Sequence, residues 1–282
     1  MPHFGNSNIV RFGIITDIHF STKQNGAATA KETAAALRSC LDCWRQSEVD
    51  FVVQLGDLIK GSDHHKEEEL QQVTSILNEF EGTFRHVIGN HCLALPRKEL
   101  MSALGLQKPY YTFQAKGFRF IVLDGMDVSA EKIPETAPDR KTLALYLAKP
   151  ELHDYCGAVG EQQKAWLCKQ LREAEKAEEK VIVICHFPLL PSTTDSKYGL
   201  LWNHRKIVEL LATSPALKAC LGGHYHYGSH AKQNGIHFVV LPAFANSTEH
   251  SGFACGTIEL QNERMVIRNQ NKETLYDLSL TR

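Results

Sequence analysis

The sequence predicts an α/β protein in which short buried strands alternate with amphipathic helices. Three observations carry that reading. Apolar, β-branched runs stop abruptly at a small or polar residue, the segments between them repeat their apolar residues at helical spacing, and most of the strand ends deliver an aspartate, asparagine or histidine. The first runs, Val10 to Thr16, Phe51 to Leu55 and Thr83 to Ile88, read as buried strands. Between the first two, Thr29 to Gln46 carries Leu37, Cys40, Leu41 and Trp44 on one helical face. Between the next two, His64 to Phe80 does the same with Leu70, Val73, Ile76, Leu77 and Phe80. The acidic run Glu67 to Glu69 reads as the solvated face of that helix.

The second half repeats the logic. Phe118 to Leu123, Lys180 to Cys185, Leu217 to Leu221 and Ile236 to Leu241 read as strands, with helices at Glu161 to Glu175 and Asn203 to Leu211. Gly256 to Leu260 and Met265 to Asn269 flank a turn and predict a hairpin. The connector Asp127 to Gly160 holds Pro134, Pro138 and Pro150, lacks a steady period and is long for a loop, so it is expected to cover something functional. No repeat, low-complexity tract or linker divides the 282 residues, and a single domain over 1–282 is expected.

Composition removes several function classes. Lys and Arg total 31 against 32 Asp and Glu, so no net field draws the molecule onto nucleic acid or an anionic membrane. The first eight residues lack the basic and apolar regions of a signal peptide, and no stretch approaches 18 consecutive apolar residues, so a soluble, cytoplasmic protein is expected. The eight cysteines are sparse for a disulfide framework, and Cys185, Cys220 and Cys255 lie inside apolar runs. Cys40 and Cys43 form one C-x-x-C within a helical pattern, with no second pair to answer it, which argues against a zinc or redox role.

The strand ends carry the chemistry. Asp17 and His19 follow the first strand, Asp57 the second, Asn90 and His91 the third, His186 the fifth, and His224 and His226 the sixth. Open α/β sheets bind ligands outside the carboxyl ends of their strands. Singly, Gly56-Asp57 and Gly89-Asn90 are ordinary turn dipeptides and His186 an ordinary structural histidine. Together they form a set of carboxylate, amide and imidazole groups without thiolate, which suits Mn, Fe or Zn. Eight groups exceed the need of one ion. Two ions about 3.5–4 Å apart, bridged by Asp57, would use all but one. Such a pair leaves positive charge for an anionic phosphate ester, attacked by a metal-bridging hydroxide.

Asp17-Ile18-His19, Gly56-Asp57, Gly89-Asn90-His91, His186 and Gly223-His224-Tyr225-His226 resemble, in order, the motifs of the calcineurin-like metallophosphoesterases. The resemblance implies two mixed β-sheets packed as a sandwich flanked by helices, four layers α/β/β/α. It implies one metal on Asp17, His19, Asp57 and His226, and a second on Asp57, Asn90, His186 and His224. His91 would then stabilise the transition state and protonate the leaving group, with Asn90 beside it at the phosphoryl group.

A closer resemblance, to the manganese-dependent ADP-ribose/CDP-alcohol diphosphatases, rests on Phe118 to Asp124, Gly160-Glu161-Gln162-Gln163 with Trp166-Leu167, His186-Phe187-Pro188 and Trp202-Asn203-His204-Arg205. Members of that group often carry glutamine where this chain has His19, and an acidic residue where it has Cys92. The implied activity is cleavage of the pyrophosphate bond of ADP-ribose-like nucleotides or CDP-alcohols. The rival activities are a cyclic-nucleotide phosphodiesterase or general phosphomonoesterase, and a non-catalytic scaffold of the same fold is the reading from another class. Trp202 and Arg205 are candidates for substrate binding, with Lys60 a further phosphate contact. Trp202, Phe20 and Phe187 could stack on a base or pack the core. His64 and His65 read as a solvated helix start, and His153, His230 and His250 have no identifiable partner.

Overall fold

The computed structural model describes residues 9–23, 29–61, 64–247 and 252–281. The N-terminal segment read for targeting and His250 lie outside the described residues. In chain order the elements are β1 (Val10–Ile15), α1 (Ala30–Gln46), β2 (Phe51–Gln54), α2 (Lys66–Leu77), β3 (Phe84–His86), α3 (Arg97–Ala103), β4 (Tyr111–Ala115), β5 (Phe118–Val122) and β6 (Val128–Ser129). There follow α4 (Ala137–Leu147), β7 (Gly157–Ala158), α5 (Glu161–Lys176), β8 (Lys180–Ile184), α6 (His204–Ala212) and β9 (Leu217–Gly222). The chain ends with β10 (Ser229–Gln233), β11 (Ile236–Val240), β12 (Gly256–Gln261), β13 (Arg264–Asn269) and β14 (Thr274–Ser279).

These strands form two six-stranded mixed sheets, ordered β14-β13-β12-β1-β2-β3 and β10-β11-β9-β8-β5-β4. Strand alternation explains why they stack. Val10, Phe12 and Ile14 on β1, with Phe51 and Val53 on β2, face Phe120, Val122, Ile182, Ile184 and Leu221 of the other sheet in one dry core. There Phe12 stacks on Phe51 at 5.1 Å and meets Phe120 edge-on at 5.6 Å. The intervening residues of β1 and β2, such as Ile15 and Val52, join a second core with the helices. Helix α1 starts with a capping box between Thr29 and Glu32 and buries Leu37, Cys40, Leu41 and Trp44, the face read from the sequence. The Trp44 indole lies over Gly13 and donates to the Gly256 carbonyl at 2.9 Å, so a side chain at Gly13 would collide with it. On the opposite side α5 buries Leu167, Leu171 and Ala174. The architecture is the four-layer α/β/β/α sandwich, and the expected hairpin is β12–β13, with Gly256 opposite Asn269 and Leu260 opposite Met265.

Three local readings change. The Asp127–Gly160 connector contains α4, capped by Thr136, and a small ribbon in which β6 pairs with β7. Leu145 and Leu147 of α4 are exposed, so the helix has no apolar stripe for a pattern search to find. The edge strands β4, β10 and β14 mix polar residues into their runs and were likewise not apparent. Glu69 is buried rather than solvated, and its Oε2 accepts the Gly61 N–H at 2.9 Å, which ties α2 to the loop after β2. Among the described residues no helix is long and apolar enough to cross a membrane.

Candidate metal centre

The eight strand-end residues come together where the two sheets meet. The first sheet contributes Asp17, His19, Asp57, Asn90 and His91, because the segments after β1 and β2 continue their parallel pairing. The Asp17 N–H donates to the Gly56 carbonyl at 3.1 Å and the His19 N–H to the Asp57 carbonyl at 3.0 Å. The second sheet contributes His186, His224 and His226, locked by the Gly223 N–H on the His186 carbonyl at 2.9 Å. Asp17, His19, Asp57 and His224 all have positive φ, between 46° and 65°. Non-glycine residues rarely sit there, and their clustering marks backbone strain held by the surrounding structure. Two motif glycines make the approach possible. A Cβ at Gly89 would overlap the Asp57 carboxylate and amide, and one at Gly223 would overlap Thr16 and Asp17.

The side-chain atoms form two adjoining groups. His19 Nε2 and His226 Nε2 lie 3.2 Å apart, each 3.6 Å from Asp17 Oδ1. In the other group His186 Nε2 is 3.3 Å from Asp57 Oδ2, with a ring nitrogen of His224 in the same cluster. Asp57 Oδ2 is also 3.8 Å from His19 Nε2, so this one oxygen faces both groups.

Each group is oriented from behind. Asp17 Oδ2 accepts the Thr16 hydroxyl at 2.5 Å and the His224 N–H at 2.9 Å, leaving Oδ1 for the centre. Asp57 Oδ1 accepts the His91 N–H at 2.9 Å, leaving Oδ2. His186 Nδ1–H donates to the Leu55 carbonyl at 2.9 Å, and His224 Nε2–H to the Tyr198 carbonyl at 2.7 Å. A carbonyl can only accept, so these contacts set the tautomers, as outer partners do for metal-binding histidines. They are main-chain groups and leave no trace in a residue pattern. Asp17 Oδ1, His186 Nε2 and Asn90 Oδ1 are buried with no hydrogen-bond partner.

Electrostatics agree with a cation-binding centre. Asp17 and Asp57 are buried, which alone would raise their pKa values. The imidazoles around them, His19 and His226 each 3.6 Å from Asp17 Oδ1 and His186 3.3 Å from Asp57 Oδ2, outweigh burial and hold both carboxyls below the ordinary aspartate range. Burial opposes a charge on His186, but the Asp57 carboxylate raises its pKa to about 9. His224 is pushed down to about 4 by burial and by His186. Among the described residues, only histidines pair with these two carboxylates. Two buried carboxylates, four imidazoles and an amide oxygen, with unpartnered atoms facing inward, fit a pair of borderline divalent cations.

His91 stands at the edge of this set, its ring 4.5 Å from that of His19 and edge-on to it. Its Nδ1–H donates to the Lys60 carbonyl at 2.8 Å, which leaves Nε2 free. That carbonyl supplies the orientation that a carboxylate at position 92 would otherwise give. Cys92 instead is buried, and its sulfur accepts the Leu58 N–H at 3.2 Å.

The centre opens into a cleft of about 460 Å³, lined by His19, Asp57, Asn90, His91, His224 and His226 together with Lys60, Glu131, Tyr155, Lys197 and Tyr198. Glu131 and Tyr155 come from the connector, which thus covers part of the site, as its length predicted. Trp202 and Arg205 do not line the cleft. Trp202 is buried, stacks on Tyr146 at 5.4 Å and donates to the His153 carbonyl at 3.0 Å, so it packs a neighbouring region. Arg205 is exposed on the first turn of α6. Phe20 and Phe187 are fully buried core residues. Sequence reasoning missed Tyr155, Lys197 and Tyr198, whose place is set by contacts between two loops: the Tyr155 hydroxyl donates to the Lys197 carbonyl at 2.7 Å.

Comparison with known proteins agrees with the fold. Residues 10–228 match the family described as Calcineurin-like phosphoesterase. The chain is 30% identical over 266 residues to a Manganese-dependent ADP-ribose/CDP-alcohol diphosphatase of Arabidopsis thaliana, covering 82% of this chain and 85% of that protein. It is 28% identical to a protein of the same name from Oryza sativa subsp. japonica, covering 93% and 91%. Among solved structures, a dimetal phosphatase from Danio rerio superposes with a TM-score of 0.81 at 24% identity, covering 96% of this chain and 98% of that one.

Proposed function

The chain belongs to the calcineurin-like phosphoesterase family, and from that premise we propose that it is a dimetal phosphohydrolase cleaving the pyrophosphate bond of ADP-ribose-like nucleotides or CDP-alcohols. The observation that carries the reading is the inward convergence of unpartnered buried atoms of Asp17, Asn90 and His186 around Asp57. The substrate class rests on the activity named for the plant relatives, which align over most of both chains.

Asp17, His19, Asp57 and His226 would hold one divalent cation, and Asp57, Asn90, His186 and His224 a second, manganese being the ion in the relatives' name. Bound there, the cations would neutralise phosphoryl oxygens and lower the pKa of attacking water. The protein's own groups do the rest. The Lys60 carbonyl holds His91 Nδ1–H, so Nε2 is the nitrogen available to deliver a proton to the leaving phosphate oxygen. Lys60 and Lys197 at the cleft wall give the distal phosphate a positive partner, and Tyr155 and Tyr198 offer faces to the nucleoside.

The test is a substrate panel with manganese: ADP-ribose, CDP-choline, cyclic AMP and a nitrophenyl phosphate ester. The expected result is a kcat/KM for ADP-ribose or CDP-choline at least about tenfold above the other two, a margin of about 1.4 kcal/mol in transition-state binding. Preference for cyclic AMP or the monoester would refute the substrate class.

A further inference from the structure

A second cluster of reactive groups lies in the helical layer over the first sheet, outside the metal centre. Cys40 and Cys43, three residues apart on α1, face the same way. The fold supplies the partner that the C-x-x-C lacks in sequence. Cys255, immediately before β12, is buried in the same apolar layer as Cys40, with Cys43 packed against that layer, and these two thiols are its side-chain neighbours. Cys40 and Cys255 are buried, whereas Cys43 is half-buried and reaches the edge of the cluster, where its thiol donates to the Gln270 carbonyl at 3.8 Å. The Gln270 side chain in turn binds the Ala254 N–H at 3.1 Å and the Gly252 carbonyl at 2.6 Å, fastening the segment before Cys255 to the turn opposite Cys43. All eight cysteines are free thiols.

We propose that Cys43 is an oxidation site with Cys255 as its resolving partner, the two closing to an intramolecular disulfide between α1 and the start of β12 on exposure to a hydroperoxide. In the first step the Cys43 sulfur attacks the peroxide. The O–O bond breaks, the sulfur is oxidised by two electrons to the sulfenic acid, and one water leaves with hydrogen peroxide as oxidant. In the second step the Cys255 sulfur attacks the sulfenic sulfur, the S–O bond breaks, an S–S bond forms and the Cys255 proton leaves in a second water. The environment divides the two roles. The Cys255 contact and the neighbouring Ser47 and Lys272 bring the Cys43 pKa down to about 7 against the opposing effect of burial. Contacts with Cys40 and Cys43, together with burial, raise Cys255 well above the ordinary thiol range. The thiolate that meets oxidant first is therefore Cys43.

The experiment takes the reduced full chain, removes reductant, adds one equivalent of hydrogen peroxide at neutral pH, then counts free thiols in denaturant and maps linked peptides by mass spectrometry. Two of the eight thiols should be lost, with a peptide joining Cys43 to Cys255 that dithiothreitol reverses. Cys168→Ser, which alters a half-buried cysteine on α5, should form the same link, and Cys43→Ser should form none. Cys255→Ala, checked for native thermal unfolding, should instead leave a Cys43 sulfenic acid that dimedone traps. If Cys255→Ala does not fold, the wild-type peptide map decides alone. Linkage of Cys40 to Cys255, a disulfide between two molecules, or oxidation of Cys43 beyond sulfenic acid without any link would overturn the proposal.

Discussion

Replacing His91 by alanine distinguishes the proposed proton donor from a metal ligand at this position. A ring nitrogen of His91 lies in one cluster with a ring nitrogen of His19 and a carboxylate oxygen of Asp57, all within 4.8 Å, so position alone allows either role. The anchoring differs. The His91 N–H that holds Asp57 Oδ1 belongs to the main chain and survives the substitution, so the Asp57 carboxylate keeps its orientation. What disappears is the ring, with its one hydrogen bond to the Lys60 carbonyl. That bond, on a half-buried side chain, is worth about 1 kcal/mol, so the fold should survive. General acid catalysis contributes roughly 10²–10⁴ in rate, or about 3–5 kcal/mol. In the assay, kcat for ADP-ribose with manganese should fall by that factor while two metals per chain remain by elemental analysis. The deficit should shrink for a nitrophenyl ester, whose leaving group needs no proton. Unchanged turnover, or loss of one metal equivalent, would refute the assignment.

Asp57→Asn replaces the single oxygen that faces both groups, and should reduce bound manganese below two per chain and cut kcat/KM by more than the roughly 10- to 100-fold cost of disturbing a ligand's outer partner; full metal content by elemental analysis would contradict it. Gly89→Ala puts a methyl into the Asp57 carboxylate and main chain, and thermal unfolding should show a loss of about 1–3 kcal/mol together with weaker metal retention. For pH, burial raises the Asp124 pKa from 3.8 to about 6, against the pull of Arg97. The folded state thus holds this proton more tightly than the unfolded chain. Its contribution is complete below pH 3.8 and is lost as pH rises through 6, a change of about 3 kcal/mol that denaturant titrations should show in the wild type and not in Asp124→Asn. Parallel pH profiles for the two proteins would show that Asp124 is not the group responsible.

The convergent set of carboxylates and imidazoles was legible because its chemistry is written in residue type and strand position together. An apolar run that ends in Asp-x-His, Gly-Asp or Gly-Asn-His names both an element and what its end presents. The sequence could not distinguish residues that share a motif-like setting but a different neighbourhood. Trp202-Asn203-His204-Arg205 starts a helix near the site, yet Trp202 turns into the core through Tyr146 and His153, and Arg205 faces solvent. The cysteine pair shows the opposite failure. Cys40 and Cys43 lack a partner nearby in the sequence because Cys255 is 212 residues beyond Cys43, and the antiparallel β1–β12 pairing brings it under α1.

Backbone conformation is the layer that links what was legible to what was not. Four residues of the convergent set occupy left-handed φ, and none is glycine. Aspartate and histidine tolerate that region better than branched residues, yet it still costs free energy that something nearby must offset. The compensation is visible as main-chain bonds, from Asp17 to Gly56 and from His19 to Asp57, and as the glycines at 89 and 223 that let the loops close on them. The glycines appear in the motifs; the strain they permit does not. Relaxing the strain would turn the carboxylates and imidazoles away from their common centre, so the motif spacing records a backbone geometry as much as a set of ligands.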